Sequence, residues 1–243
     1  MGVLTLLRIQ VPSDVLKSGK VDAIVLCPVD SRGIGPAIRK ANEAKIPVFT
    51  ADIASKEGDV VCHVASDNVA GGRLAGEYLA KLLDGKGNVA IIDQPTVTSV
   101  LDRVQGFKEA IAKYPGIKIV TDVNGEGVRD RAMQASSDVL QANPDLQGIF
   151  GINDDSALGA LDAVKQFNRE GISIIGYDAT PPAADAITRG TALKADVIQY
   201  PKKIGETTIA KIKEYFAGAS LPKVVPVEVG IADKEVLLKS ATK

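Results

Sequence analysis

Apolar and polar positions along this chain follow two rhythms. Short runs rich in β-branched residues recur at 23–26, 47–49, 60–64, 89–92, 117–120, 148–152, 172–175, 193–198 and 224–229. Most are apolar at nearly every position. A strand tolerates that only when both its faces are covered, as in a parallel sheet between two helix layers. Between the runs, apolar residues return at helical spacing. After Ser66-Asp67-Asn68, residue types suited to an N-cap, the stripe Ala70, Leu74, Tyr78 and Leu82 predicts a helix that closes at Asp84-Gly85. The segments 100–114, 131–141 and 157–167 read the same way. Strand and helix alternating over the whole length predict a doubly wound α/β fold with parallel sheets.

No solenoid repeat and no low-complexity linker marks a domain boundary. Polar residues do interrupt or end strand-like runs at Ser66-Asp67, Gln199-Tyr200 and Glu228. Polar steps inside strands suit a chain that crosses three times between two lobes.

Composition removes several classes of function. The 243 residues carry 29 Lys and Arg against 30 Asp and Glu, a net charge of -1. Nucleic-acid binders usually show a basic excess, and none is visible here. Aromatics make up 4% with no Trp, which disfavours stacking platforms for single strands. There is no apolar run of membrane-spanning length. Residues 1–8 are apolar but lack a basic leader and a cleavage site, so they do not read as a signal peptide. Cys27 and Cys62 each sit in or beside an apolar run and read as free thiols rather than a disulfide.

In an open α/β sheet, ligands bind beyond the carboxyl ends of the strands. The side chains expected there are Cys27, Asp30, Asp52, Ser66-Asp67-Asn68, Asp93-Gln94, Asn153-Asp154-Asp155, Tyr177-Asp178 and Gln199, with Arg103 in the early part of the helix after the run 89–92. Singly, each Asp or Asn reads first as a helix cap. As a set, these polar groups both donate and accept, which suits an uncharged polyhydroxylated ligand.

Catalytic readings lack their parts. The single histidine, His63, falls inside a strand run and reads as structural. No Gly-x-Ser-x-Gly elbow, His-Glu-x-x-His or Cys-x-x-Cys is present, so neither hydrolase nor metal chemistry is expected. Gly33-Ile34-Gly35-Pro36 lacks the third glycine of a dinucleotide loop. A Cys27–His63–Asp52 triad matches no motif order. No catalytic residue, metal or cofactor is assigned.

At these same residues the sequence resembles the ribose-binding-protein-like substrate-binding components of bacterial sugar transporters. The matching stretches are Val21-Asp22-Ala23-Ile24-Val25-Leu26 with Pro28-Val29-Asp30-Ser31, and Ala41-Asn42-Glu43-Ala44 with Ile46-Pro47-Val48. His63-Val64-Ala65-Ser66-Asp67-Asn68 with Gly71-Gly72, and Asp102-Arg103 with Gly106-Phe107, follow in order. Asn153-Asp154 with Ala157-Leu158-Gly159, and Gly176-Tyr177-Asp178, complete the set, from about Pro12 to the C-terminus. The resemblance implies two lobes, 1–66 plus 200–228 and 67–199 plus 229–243, hinged at Ser66, Asp67, Gln199, Tyr200 and Glu228. It implies sugar contacts from Asp52, Arg103, Asn153, Tyr177, Asp178 and Gln199, and a periplasmic protein that serves a membrane permease.

Four departures qualify the resemblance. The family's asparagine is Cys27 here, its arginine after the retained aspartate is Ile53, and its aromatic near Gly125-Glu126-Gly127 is absent. These changes remove donors and a stacking face, so the ligand is not assigned as ribose; another pentose, a hexose or a polyol fits as well. The fourth is the strand-helix-strand unit, about 30 residues or more, that precedes Pro12-Ser13-Asp14-Val15-Leu16 in the family. Without it the first lobe is expected to be truncated, leaving strand 23–26 with an open edge. A shortened chain, a homodimer pairing that edge, and a natural variant with weakened binding are the three options.

Two rival classes remain. A Lac-repressor-type regulator shares the fold in its effector core but needs a helix-turn-helix ahead of the first strand. An α/β enzyme of small-molecule metabolism would show turnover.

Overall fold

The computed structural model describes residues 3–6 and 21–241. Its strands are β1 (Val3–Leu6), β2 (Ala23–Leu26), β3 (Val48–Ala51), β4 (Cys62–Ser66), β5 (Lys86–Asp93), β6 (Gly116–Asn124), β7 (Leu146–Gly151), β8 (Ser173–Asp178), β9 (Leu193–Ile198), β10 (Val224–Val227) and β11 (Gly230–Asp233). The helices among them are α1 (Gly35–Glu43), α2 (Asn68–Leu82), α3 (Thr98–Ile111), α4 (Arg129–Ala142), α5 (Asp154–Gln166), α6 (Pro181–Thr188), α7 (Pro201–Phe216) and α8 (Lys234–Ala241). Two compact units result. Unit 1 comprises Met1–Asp67, Thr96–Ser99 and Tyr200–Glu228; unit 2 comprises Asn68–Pro95, Val100–Gln199 and Val229–Lys243.

Unit 1 holds a parallel sheet in the order β1-β2-β3-β4-β10. The uninterrupted apolar run of β2 has a direct cause. Ile24 and Leu26 pack with Ile34, Ile38 and Val48 on one face, while Ala23 and Val25 pack with Phe49, Val64 and the α7 residues Ile204 and Ile212 on the other. Neither face meets water, so neither can be polar.

The expected open edge of β2 is not found. Val3–Leu6 lies beside it in parallel register, Val3 opposite Ala23 through Leu6 opposite Leu26. A four-residue edge needs only a four-residue partner, and Val3-Leu4-Thr5-Leu6 is apolar and β-capable enough to supply it. That removes the ground on which a homodimer through this edge was expected. The stretch matched at Pro12-Ser13-Asp14-Val15-Leu16 lies outside the described residues.

Unit 2 holds a sheet in the order β11-β9-β8-β7-β5-β6, parallel except for β11, which runs antiparallel to β9. The run read as one strand over 224–229 is thus two, β10 in unit 1 and β11 in unit 2. The edge strand β6 alternates between exposed and more buried positions, the signature of a strand with one wet face. Phe107 and Phe150, both fully buried, stack at 4.6 Å between centroids in the core.

The buried face of α2 differs from the predicted stripe. It consists of Asn68, Gly71, Gly72, Ala75, Gly76, Leu79 and Ala80, while Leu82 is 40% exposed. Glycine has no hydrophobic signal of its own, so the periodicity of larger residues pointed to a neighbouring face. What buries this one is close approach. A Cβ on Gly72 would sit 1.9 Å from the Arg103 carbonyl oxygen, and one on Gly106 would sit 2.0 Å from that of Val69. The predicted stop does hold: Asp84 and Gly85 adopt φ of 51° and 72°, and the Gly85 N–H donates to Ala80 O at 2.9 Å. Among the described residues, no helix is long and apolar enough to cross a membrane.

Candidate functional site

The carboxyl ends of β5, β7, β8 and β9 deliver Asp93, Asn153, Asp178 and Gln199 to one end of the unit 2 sheet. Arg103 reaches this end from α3. Its side chain is almost fully buried, and four partners fix it. Nε donates to Asn68 Oδ1 at 2.9 Å and Nη1 to the Ile152 carbonyl at 2.7 Å. The guanidinium carbon lies 3.7 Å from the centroid of the Tyr177 ring, a cation–π contact. Nη1 also stands 3.8 Å from Asp178 Oδ1. Fully desolvating an unpaired guanidinium would be costly, and the carboxylate with two neutral acceptors offsets that cost.

The structure therefore brings Arg103, Tyr177, Asp178 and Gln199 into one network. Gln199 Nε2 donates to Asp178 Oδ1 at 2.5 Å. Tyr177, wholly buried, donates its hydroxyl to Asn68 Oδ1 at 3.3 Å. Asn68 is the hub, a role that sequence reasoning missed because Ser66-Asp67-Asn68 read as a cap. Its partners lie 35 and 109 residues away, so no local pattern could show it.

Asn153 does serve as a cap. Its Oδ1 accepts from the Ser156 N–H at 2.8 Å at the start of α5, and its Nδ2 donates to Gly127 O at 2.9 Å. Asp178 and Ala179 take φ of 119° and 58°, left-handed conformations that are strained for residues with a Cβ. The Asp178 side chain keeps 29% of its surface exposed, enough for its oxygens to meet a ligand. Asp93 is buried at the end of β5, and burial pushes its carboxyl up to about 6.

Asp52 belongs to unit 1, just beyond β3, also at a positive φ of 66°. Its Oδ2 accepts from the Cys27 thiol at 3.7 Å. Burial first, and then the Asp52 charge, push that thiol up to about 11, so Cys27 is a neutral donor at physiological pH. Cys27 and Cys62 are free thiols. His63 pairs with the Thr50 hydroxyl at 2.9 Å, and burial lowers its proton affinity.

The model of the periplasmic binding protein domain matches residues 9–220 of this chain. The chain belongs to that family. Among its relatives is a ribose import binding protein from Salmonella typhimurium, 33% identical over 213 residues that span 87% of this chain and 71% of the relative. A solute-binding protein of an ABC transporter from Actinobacillus succinogenes, solved with bound D-allose, superposes with a TM-score of 0.83 at 32% identity, covering 93% of this chain and 83% of the other. One from Agrobacterium vitis, solved with α-D-tagatopyranose, gives 0.86 at 29% identity over 94% and 80%. Within the periplasmic binding protein family this chain is thus of the ribose-binding-like, sugar-binding ABC-transporter type. The comparisons favour this placement over a repressor core, and these relatives are substrate-binding proteins rather than enzymes.

Proposed function

We propose that the chain captures a monosaccharide or polyol and delivers it to the membrane permease of an ABC transporter from the periplasmic side. Arg103, Asn153, Asp178 and Gln199 hold the ligand on unit 2, with Tyr177 contributing through Arg103, and Asp52 supplies a second carboxylate from unit 1. Asp52 and Asp178 accept from neighbouring hydroxyls, Arg103 donates as a planar fork, and Asn153 and Gln199 do both. Tyr177 orients Arg103 from beneath. The lobes are 1–66 plus 200–228 and 67–199 plus 229–243, and Ser66, Asp67, Gln199, Tyr200 and Glu228 form the hinge.

The observation that carries this reading is the preset guanidinium, stacked on Tyr177 and tied to Asn68, with a part-exposed carboxylate 3.8 Å away. Such rigid donor and acceptor pairs suit adjacent hydroxyls of a neutral sugar, because the site contributes its own charge balance. Ribose, D-allose and D-tagatose, the sugars of the relatives above, set the first panel to try, with xylitol as a polyol.

Thermal unfolding against that panel tests the proposal. A true ligand at a hundredfold excess over its dissociation constant adds about 2.7 kcal/mol of stability, with no change in the compound itself. Stabilisation by no sugar or polyol would overturn the reading, and consumption of a panel member would replace it with an enzyme.

A further inference from the structure

Asp196 lies within β9 with no exposed surface, and neither carboxyl oxygen has a well-formed hydrogen bond; only the Gly176 N–H of β8 acts on it weakly. Asp154 Oδ1, at the start of α5, is buried in the same condition. The two carboxyls meet where α5 packs against β9, and each acts on the protonation of the other. The space around them is tight: a Cβ on Gly176 would come 1.9 Å from Asp196 Oδ1 and 3.0 Å from the Ala157 Cβ. Among the described residues, no group of three or more His, Cys, Asp or Glu is placed to hold a metal ion there. Two carboxylates in dry contact cannot both stay ionised.

We propose that Asp154 and Asp196 share a single proton, carried by Asp196, and that this pair positions the loop bearing Asp178. The asymmetry follows from their surroundings. Asp154 opens a helix, where the N-terminal dipole favours an anion, and its Oδ2 accepts the Thr180 N–H at 2.6 Å. Asp196 sits mid-strand, away from any helix N-terminus, and the Gly176 N–H of β8 is its one weak backbone donor among the described residues. Thr180 directly follows Asp178 and Ala179, both held at positive φ, so the Asp154 carboxylate anchors the end of a strained turn. Losing the shared proton sets two anions against each other and frees Asp154 to swing away from Thr180.

Among the described residues, no cation pairs with either carboxyl. The charged and titratable groups facing the pair from neighbouring elements are Asp155 on α5 and Asp178 on β8, the latter already beside Arg103. On the other packed elements, Asp233 of β11 accepts from Tyr78 of α2 at 3.0 Å, and Asp185 of α6 is ion-paired with Arg189. Among the described residues, neither carboxyl of the pair forms an ion pair. Burial, and then the charge of Asp154, raise Asp196 well above the usual carboxylate range, and burial raises Asp154 as well.

The test uses the full chain and D196N, whose amide mimics the protonated acid. Because Asp196 holds its proton more tightly when folded, folding takes up a proton and stability falls as pH rises above about 4. The folding constant of D196N should therefore gain on wild type by up to tenfold per pH unit, until Asp196 ionises in the folded state. Protection of the Thr180 amide from hydrogen exchange, corrected for its intrinsic rate, should fall at alkaline pH in wild type and persist in D196N. D154N leaves Asp196 buried but without the neighbouring charge, so it should narrow the pH range over which the wild-type slope persists, and it covers the case where D196N misfolds. Parallel stability profiles would overturn the shared proton, and equal loss of Thr180 protection in both proteins would overturn the positioning role. The consequence for sugar, an alkaline loss of affinity in wild type that D196N escapes, rests on the function proposed above. If no sugar binds wild type, that function fails, while stability and exchange still decide the pair.

Discussion

Replacing Gly72 with alanine isolates the backbone contact between α2 and α3. Glycine to alanine inside a helix ordinarily gains about 1 kcal/mol of propensity. Here the new Cβ would lie 1.9 Å from the Arg103 carbonyl oxygen and 2.8 Å from both the Arg103 carbonyl carbon and the Phe107 nitrogen. All three are backbone atoms of α3, so no side-chain rotation relieves the overlap. The helices must part by about 1 Å or more to restore ordinary contact, near 3.5 Å. That motion drags Phe107 off Phe150 and shifts Arg103 over Tyr177. An overlap this deep with rigid backbone belongs in the upper part of the overpacking range, about 2–3 kcal/mol, against the 1 kcal/mol gained. A net loss of about 1–2 kcal/mol lowers Tm by roughly 2–8 °C in a chain of this size. Gly205 in α7 is the control, since a Cβ there meets nothing within 4 Å. G205A should raise Tm slightly, by about 0.4–1 kcal/mol of stability. Thermal unfolding by circular dichroism reads both variants. A G72A protein as stable as wild type would show that the close approach does not constrain the fold.

Two further outcomes follow from the same network and its neighbour. R103K keeps the charge but loses the planar stack on Tyr177, and should weaken sugar binding by at least about tenfold in titration calorimetry; unchanged affinity would remove Arg103 from the site. Asp93, raised to about 6 by burial, makes folding take up a proton between about pH 4 and 6, so wild-type stability falls across that window. D93N should then exceed wild type by on the order of 2–3 kcal/mol above pH 6 and by nothing near pH 4, and a gap independent of pH in urea titrations would refute this.

Legibility differed with the range of the interaction. The doubly wound α/β class was readable because burial on both faces of a parallel strand leaves a local mark. β2 shows it plainly, with four consecutive buried residues serving opposite faces in turn. The stop of α2 at Asp84-Gly85 was equally local, since only a left-handed turn ends the helix there. The buried face of α2 was not legible. Its glycines are chosen for the space they leave to α3, and space leaves no hydropathy signal. Among the candidate site residues, Arg103, Tyr177, Asp178 and Gln199 were named from their places after strands, and the structure joins them in one network. Asn68, which organises that network, was hidden behind its resemblance to a cap.

By itself, then, the order of residues settled the alternation of strands and helices and the doubly wound, mainly parallel class, because those properties depend on neighbours a few positions away. Tertiary structure decided the partner of β2, the antiparallel course of β11, the hub at Asn68 and the meeting of Asp154 with Asp196. Each of these brings together groups far apart in the chain. Their energies come from exclusion of water and backbone proximity, which exist only once the sheet has formed.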